Sequence, residues 1–435
     1  MNHQRRPSTL DHPIKEVVLE TQKLVGGGRA LAHLDGETWL VAGALPGEKV
    51  RVELEGRRAG IVTGKAVEVL DSPSPGRHSL PCPHASDCGG CDWPHVDPDQ
   101  EAGFKVDSAA EAARNWPELA ERLATAPIRP SPPAYRLRAR LHWAPSTSTL
   151  GFYFPRSYRV AAIPDCRVVS ARLGRTLERL THLLRENCPE PVDVEWLEDL
   201  EGEHAVAAMR PGRSGPVDID PGWLPTEHSV GGAVDGFHLL DRRGHRVQGW
   251  GHESVTMNLP VVISVPIGSF FQGNRHLAGW LFDRVVDVIG SKAFATWDLH
   301  AGVGYLAAAA HHAAPRELHL VEPFRPAALA AQRNLSSATV AVGRTAEAYL
   351  GRAGDLPQQA LALTDPPRTG MTPELRKRLA DWHPERIVML ACDPATWSRD
   401  TRFLTERGYR LSHLELVDLF PSTHHVEILA VLENG

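Results

Sequence analysis

Three side chains near the end of the chain are of types that do covalent chemistry together. They are Asp365 in TDPPRTG, Cys392 in ACDPATWSRD and Glu427 in THHVEIL. Each sits at an end of an apolar run (LALTD, RIVMLAC or HHVEILAVL) that reads as a buried strand. In an open α/β sheet the ligand crevice lies at the carboxyl ends of the strands. Asp365 and Cys392 fall there, whereas Glu427 precedes its strand and has to reach the crevice from a loop. A thiol beside two carboxylates suits a covalent step followed by proton removal. Cys392 also opens the helical stretch PATWSRDTRFLTERG, and a helix N-terminus lowers a thiol pKa, favouring thiolate. Arg368 and Arg399 are candidate anchors for a phosphate or a base oxygen.

A nucleoside pocket is legible upstream. DLHAGVGYL follows the strand FATW and precedes an alanine-rich helix, with Gly302 and Gly304 placed to let backbone approach a ligand. Glu322 ends the run LHLVE, positioned to accept hydrogen bonds from a ribose diol. No third glycine completes a pyrophosphate fingerprint, so a nucleoside without pyrophosphate fits better, and S-adenosylmethionine is the common one. Asp365, before Pro366 and Pro367, either starts a turn or contacts substrate or cofactor. Of six cysteines, Cys82, Cys88 and Cys91 cluster, whereas Cys166, Cys188 and Cys392 are isolated. In a reducing compartment such a cluster reads as metal binding.

The elements that position these groups fall into four stretches. A chain of 435 residues, 42% hydrophobic, implies about two or three domains. Residues 1–13 read as a disordered tail. Residues 14–71 alternate short β-type runs with turn residues, as an OB-like β-barrel does. Residues 72–254 form a central α+β domain carrying the cysteine cluster; its part from 172 to 250 yields no chemistry, and Cys188 there is an incidental thiol. Residues 255–435 alternate strands and helices as a doubly wound, Rossmann-like α/β domain does. No apolar run approaches the roughly 20 residues of a membrane helix, and the N-terminal residues lack a secretory signal's apolar stretch. A cytoplasmic protein with no membrane association is expected. Net charge is −6, against a generally basic nucleic-acid binder. Yet eight arginines and one acid lie between Arg129 and Arg172, interleaved with Tyr135, Trp143, Phe152, Tyr153, Phe154 and Tyr158. That mixture suits phosphate contact and base stacking in RNA.

The runs CPHASDCGGC, GFYFPRSYRVAAIPDC, SFFQGN, DLHAGVG, TDPPRTG, ACDPATWSRD and DLFPSTHHVE, in this order, resemble the RNA uracil-C5 methyltransferases. The likeness is to the 23S rRNA (uracil-5-)-methyltransferase type, with an N-terminal TRAM domain and an iron–sulfur cluster. It implies that Cys392 is the nucleophile and Glu427 the base. It assigns Gln272, His300, Glu322 and Asp365 to the S-adenosylmethionine pocket, and Cys82, Cys88, Cys91 and Cys166 to a 4Fe–4S cluster. Four cysteines also suit structural zinc, although the gap between Cys82 and Cys88 is unlike paired CxxC knuckles. The tRNA branch of the family looks different, lacking barrel and cluster, so 23S rRNA is favoured over tRNA, and a monomer is expected. The chain departs from the family pattern at His300, Ala301, Tyr305 and Asp393. Two rival readings remain. An amino-group methyltransferase using the DPP turn would place an aromatic where Arg368 stands and would have no use for Cys392. A degenerate methyltransferase kept as an RNA-binding iron–sulfur protein is opposed by the retained Gln272, Glu322, Asp365, Cys392 and Glu427.

Overall fold

The computed structural model describes residues 16–78, 82–213, 215 and 218–435. The tail expected at 1–13 lies outside the described residues. The first unit is the expected barrel, closed in the order β1-β2-β3-β5-β4. Its strands are β1 (Glu16–Val25), β2 (Arg29–Leu34), β3 (Glu37–Ala42), β4 (Lys49–Arg58) and β5 (Ile61–Val69). Alternate residues such as Ala30, Ala32, Trp39, Val41, Val50 and Val52 fill its interior.

Trp93 joins this barrel to the rest. It is 1% exposed; its ring Nε1 donates to Gly28 O at 2.9 Å and its backbone N–H to Ser422 O at 3.0 Å. Gly28 has a φ of +70°, and a Cβ there would lie 2.8 Å from His424 Cβ. Only glycine fits this approach.

The next elements, α1 (Pro98–Ala112), α2 (Pro117–Ala124) and β6 (Ile128–Arg129), fall in the stretch expected to form the central domain. They pack elsewhere. Ala109, Ala113, Leu119 and Leu123 share a core with Met389, Leu414 and Ile428 of the C-terminal sheet, and β6 extends that sheet beside its last-but-one strand. The boundary expected between residues 254 and 255 is therefore crossed by apolar packing, which sequence order does not report.

The central unit consists of β7 (Arg138–Ala144), β8 (Thr149–Tyr153), β9 (Val160–Ala162), α3 (Ala171–Asn187), β10 (Val192–Glu198), β11 (Ala205–Pro211), α4 (Glu227–Val230), β12 (Gly236–Leu240) and β13 (Arg246–Gly251). Its seven strands run β13-β12-β11-β10-β7-β8-β9. The amphipathic α3 covers one face, with Leu173, Leu177, Leu180 and Leu184 against Leu141, Trp143, Val194 and Trp196.

A hairpin, β14 (Ser254–Asn258) and β15 (Val262–Pro266), leads into the C-terminal unit. There follow α5 (Ala278–Ile289), β16 (Ala295–Asp298), α6 (Tyr305–Ala313), β17 (Leu318–Glu322), α7 (Arg325–Asn334), β18 (Thr339–Val342) and α8 (Ala346–Leu350). The remainder is β19 (Ala360–Thr364), α9 (Pro373–Trp382), β20 (Arg386–Ala391), α10 (Pro394–Thr405), β21 (Tyr409–Val417) and β22 (Glu427–Asn434). The sheet order is β18-β17-β16-β19-β20-β22-β21-β6, with β16 to β20 parallel and β22 antiparallel to both its neighbours. Strand order reverses at β16, so a crevice opens at the carboxyl ends of β16 and β19. Ala391 pairs with Ile428. Because β22 runs antiparallel, its first residue, Glu427, lies on the edge where the parallel strands end. The strand itself delivers the carboxyl group, not a loop as expected. Among the described residues, no helix is long and apolar enough to cross a membrane.

Candidate active site

The crevice is organised by carboxylates at strand ends. Asp298, ending β16, is fully buried; it accepts from His300 N at 3.3 Å and from Ala307 N at 3.2 Å, tying the glycine loop to the first turn of α6. Burial raises its pKa to about 7. Glu322, ending β17, accepts from Gly302 N at 2.9 Å and Phe324 N at 2.6 Å, which leaves it further lone pairs for a ligand. Gly304 caps α6 with a φ of +93°, a conformation that needs glycine. His300 Nδ1 lies 3.0 Å from Thr364 Oγ1, and burial pulls its pKa down to about 4, so the ring is neutral. Gln272 Nε2 donates to Asp365 Oδ2 at 3.2 Å, while the buried Gln272 Oε1 has no partner. Glu322, His300, Asp365 and Gln272 thus line up along the ends of β17, β16 and β19.

Tyr305, a departure from the family pattern, does not enter this crevice. Its hydroxyl donates to Ala278 O at 2.5 Å, and its ring meets Phe271 and Phe282 edge-on in the core. Ala301 is likewise a core residue.

Cys392 follows β20 and is half-buried. Its thiol is not poised as thiolate in this structure. Burial pushes its pKa up to about 12, Glu427 and Asp365 add to the rise, and Arg368 opposes it. Burial is the main cause, and the helix end gives the thiol little help against it. Asp393 is the N-cap of α10 and accepts from Thr396 N at 2.8 Å, so a carboxylate already occupies the positive end of the helix. Glu427 is 4% exposed, and its Oε2 has no hydrogen-bond partner. Burial and then Asp365 hold its carboxyl well above the usual carboxylate range, with Arg368 acting the other way. Asp365 is itself raised, to about 7, by burial. Arg368 is therefore the cation facing both groups. Arg399 is spent elsewhere: it donates to Thr369 O, Met371 O and Asp400, fixing the loop after the DPP turn.

Sequence reasoning missed the group that holds the loop before Glu427. Lys105, fully buried on α1, pairs with Glu101 Oε1 at 2.9 Å and with Asp418, and donates to Phe420 O at 3.1 Å. Glu101 accepts from Ser422 N at 2.7 Å, and Asp418 accepts from Phe420 N at 3.1 Å. The only signal was the Glu101–Lys105 spacing, which reads equally as a surface pair. Asn274 of SFFQGN also donates to Leu419 O, at 3.0 Å.

Cys82, Cys88, Cys91 and Cys166 line one cavity of about 230 Å³, bounded also by Pro421 and Ser422. Burial raises the Cys91 pKa to about 12 and that of Cys88 as well; the neighbouring thiols add to both rises and Arg136 opposes them. No three of these sulfurs lie within 4.8 Å of one another, whereas the ligand atoms of Asp92, His424 and His425 do. A tetrahedral zinc with Zn–S near 2.3 Å needs sulfurs ~3.8 Å apart. The set is too open for one zinc ion and suits a larger group. Cys188 stands apart, its thiol donating to Glu190 O at 3.3 Å.

Comparison with known proteins agrees with this geometry. The family model for tRNA (Uracil-5-)-methyltransferase matches residues 357–434, the stretch holding Asp365, Cys392 and Glu427. The 23S rRNA (uracil(1939)-C(5))-methyltransferase RlmD of Alkalilimnicola ehrlichii is 31% identical, with 94% of each chain covered. The enzyme of the same name from Pseudomonas entomophila is 28% identical over 97% of this chain and 94% of its own. The fold is shared with the Pyrococcus abyssi tRNA (uracil-54, C5)-methyltransferase, solved with S-adenosyl-L-homocysteine, at a TM-score of 0.74 and 22% identity. That match covers 95% of this chain and 99% of the other, too much to leave out the barrel. The expectation that tRNA enzymes lack the barrel is therefore wrong as a general rule. With relatives aligned over nearly its whole length, the chain belongs to the RNA (uracil-5-)-methyltransferase family.

Proposed function

We propose that this protein transfers the methyl group of S-adenosylmethionine to C5 of a uridine in 23S rRNA, in the cytoplasm. The observation that carries the reading is the meeting of Cys392, Glu427 and Arg368 at one edge of a nucleoside crevice. Uracil C5 is too weak a nucleophile to take a methyl group unaided. Cys392 loses its thiol proton to solvent and its sulfur adds to C6; the C5–C6 π bond opens and the negative charge passes to the C4 oxygen, which Arg368 would stabilise. C5 is then nucleophilic and would form the new carbon–carbon bond as the methyl group's bond to the sulfonium sulfur breaks, leaving a neutral thioether. Glu427 takes the C5 proton, the C5–C6 double bond re-forms, and Cys392 leaves as thiolate. S-adenosylmethionine supplies the methyl group as a sulfonium. Gln272, His300, Glu322 and Asp365 would hold it, and Glu322 would be the acceptor for the ribose hydroxyls. The target base has to leave its stack to reach Cys392, at a cost of a few kcal/mol.

Cys82, Cys88, Cys91 and Cys166 fit a 4Fe–4S cluster better than zinc, on the sulfur spacing. Its part is structural, since the same loop carries Trp93. The barrel, as a TRAM domain, and the central strands contact RNA. The full-length likeness to the RlmD enzymes supports 23S rRNA. Mapping 5-methyluridine in RNA from a deletion strain tests the proposal. One 23S site should lose its methyl group, and the wild-type gene, but not Cys392→Ala, should restore it. Loss in tRNA alone, or no loss, would overturn the assignment.

A further inference from the structure

The central sheet has two unlike faces. One lies under α3; on the other, β7 presents Arg138, Arg140 and His142 in alternation, while Ala139, Leu141 and Trp143 point into the core. Leu197, Val206 and Ala208 of this second face pack against the C-terminal unit, and beside them Arg140 pairs in register with Glu195, and His142 with Asp193 and Gly151. Glu195 Oε1 is shared by Arg140 at 2.8 Å and Arg210 at 3.0 Å, so two cations meet one anion. The near end of the row opens into a groove of about 380 Å³ lined by Arg138, Arg140, Phe420 and the two chain neighbours of Gln272, Phe271 and Gly273.

The far end opens into a second groove of about 510 Å³, walled by His142, Tyr153, Tyr158 and Arg213. His142 stacks on Tyr153 with centroids 3.6 Å apart and planes 10° apart, and Asp193 fixes the His142 ring at 2.8 Å. Tyr158 meets Tyr153 edge-on at 5.7 Å, and the Arg213 guanidinium lies 4.6 Å from the centre of the Tyr158 ring. Rings assembled for packing alone would be covered, yet Tyr158 is 63% exposed. From Arg138 to His142 the strand advances ~13 Å, so this groove is separate from the one at Arg138, and the β7 row joins the two.

We propose that the far groove is a stacking subsite for an unpaired RNA nucleotide flanking the target uridine. Tyr158 and Tyr153 form the platform and Arg213 meets a phosphate. Every base has a π-face, so such a site holds the strand without reading its sequence. The groove's volume is in the range of small-ligand pockets, ~300–1,000 Å³. The inference rests on RNA being the substrate.

The test uses the intact holoprotein and a single-stranded RNA carrying the target uridine. A Tyr153→Leu/Tyr158→Leu double variant keeps apolar bulk and loses both π-faces. Its Kd for RNA should rise ~5- to 150-fold, the stacking of one base. KM should follow Kd while kcat at saturating RNA holds, and Tyr158→Trp should bind as wild type does. An oligonucleotide made abasic at the flanking positions should bind wild type more weakly and the double variant no more weakly than the intact RNA. This abasic comparison reads binding alone, so it decides the subsite even if the uridine is never methylated, an outcome that would instead sink the proposed function. Unchanged RNA affinity in the double variant, or equal weakening by Tyr158→Trp and the leucines, overturns the proposal. The first result would leave a protein partner as the occupant.

Discussion

Replacing Lys105 by methionine removes one ammonium and little volume, and the structure sets the expected cost. Lys105 is fully buried between Glu101 and Asp418, whose side chains are 6% and 5% exposed. Taking the cation away leaves two carboxyls sharing a dry site, and breaking a buried pair in this way costs about 3–5 kcal/mol. For a chain of this size that corresponds to a fall in Tm on the order of 3–6 °C. The pH dependence has a definite sign. Glu101 is already raised from 4.5 to about 7, chiefly by burial. Its contribution to stability is full below 4.5 and lost as pH rises through 7. Without Lys105 the carboxyls rise further, so the variant's deficit should be largest above neutrality and shrink on acidification. Adding Asp418→Asn should recover part of the loss, because one buried charge is then gone. Differential scanning fluorimetry on cluster-intact protein across pH measures both effects. Catalysis should respond too, because the anchored Phe420 carbonyl and Ser422 N–H lie just upstream of Glu427. Elimination should slow more than adduct formation in single-turnover assays. A Lys105→Met protein melting within about 1 °C of wild type at alkaline pH, or a deficit that grows in acid, would refute the reasoning.

Glu427→Gln keeps volume and hydrogen bonding but cannot take the C5 proton, so turnover should fall ~10²- to 10⁴-fold while a denaturation-resistant, already methylated protein–RNA complex accumulates; normal turnover would mean another base. Alkylation of Cys392 by iodoacetamide should climb about tenfold per pH unit between about pH 7 and 10 without a plateau, and Glu427→Gln should speed it by removing a like charge; a plateau near pH 8 would contradict the burial argument. Anaerobically purified protein should carry about four irons and four sulfides, both lost in Cys166→Ser, and stoichiometric zinc would exclude the cluster. Removing Arg138 and Arg140 together should flatten the salt dependence of RNA binding by about one to two counterions, and an unaltered slope would rule out phosphate contact by this row.

What was legible in the sequence is what is local. Asp365, Cys392, Glu322 and the two glycines of the DLHAGVG loop stand at strand ends, and each announces itself by residue type and immediate neighbours. Glu427 was recognisable by its run, but its route to the crevice depends on β22 being antiparallel, which no single segment encodes. The surroundings of the Cys392 thiol were illegible for the same reason. The helix that follows it is local; the two carboxylates and the burial that outweigh that helix come from other strands. The stretch from 172 to 250 stayed mute because its strands break alternation. β10 and β11 are almost wholly buried, whereas β13 is almost wholly exposed, so a period of two never shows.

The Trp93 junction has a consequence for how substrate is chosen. One indole is bonded to the barrel through Gly28 and, by its backbone, to the loop that leads to Glu427. The barrel is thereby tied to the loop before Glu427, and if it grips RNA as proposed, the protein would act as a ruler. An RNA that grips the barrel presents to Cys392 only the nucleotide lying one fixed span away. Selection among uridines can then rest on the folded shape of the RNA, with few contacts to the bases themselves. Gly28→Ala, by wedging a methyl group between the His424 side chain and the indole, would change the length of that ruler.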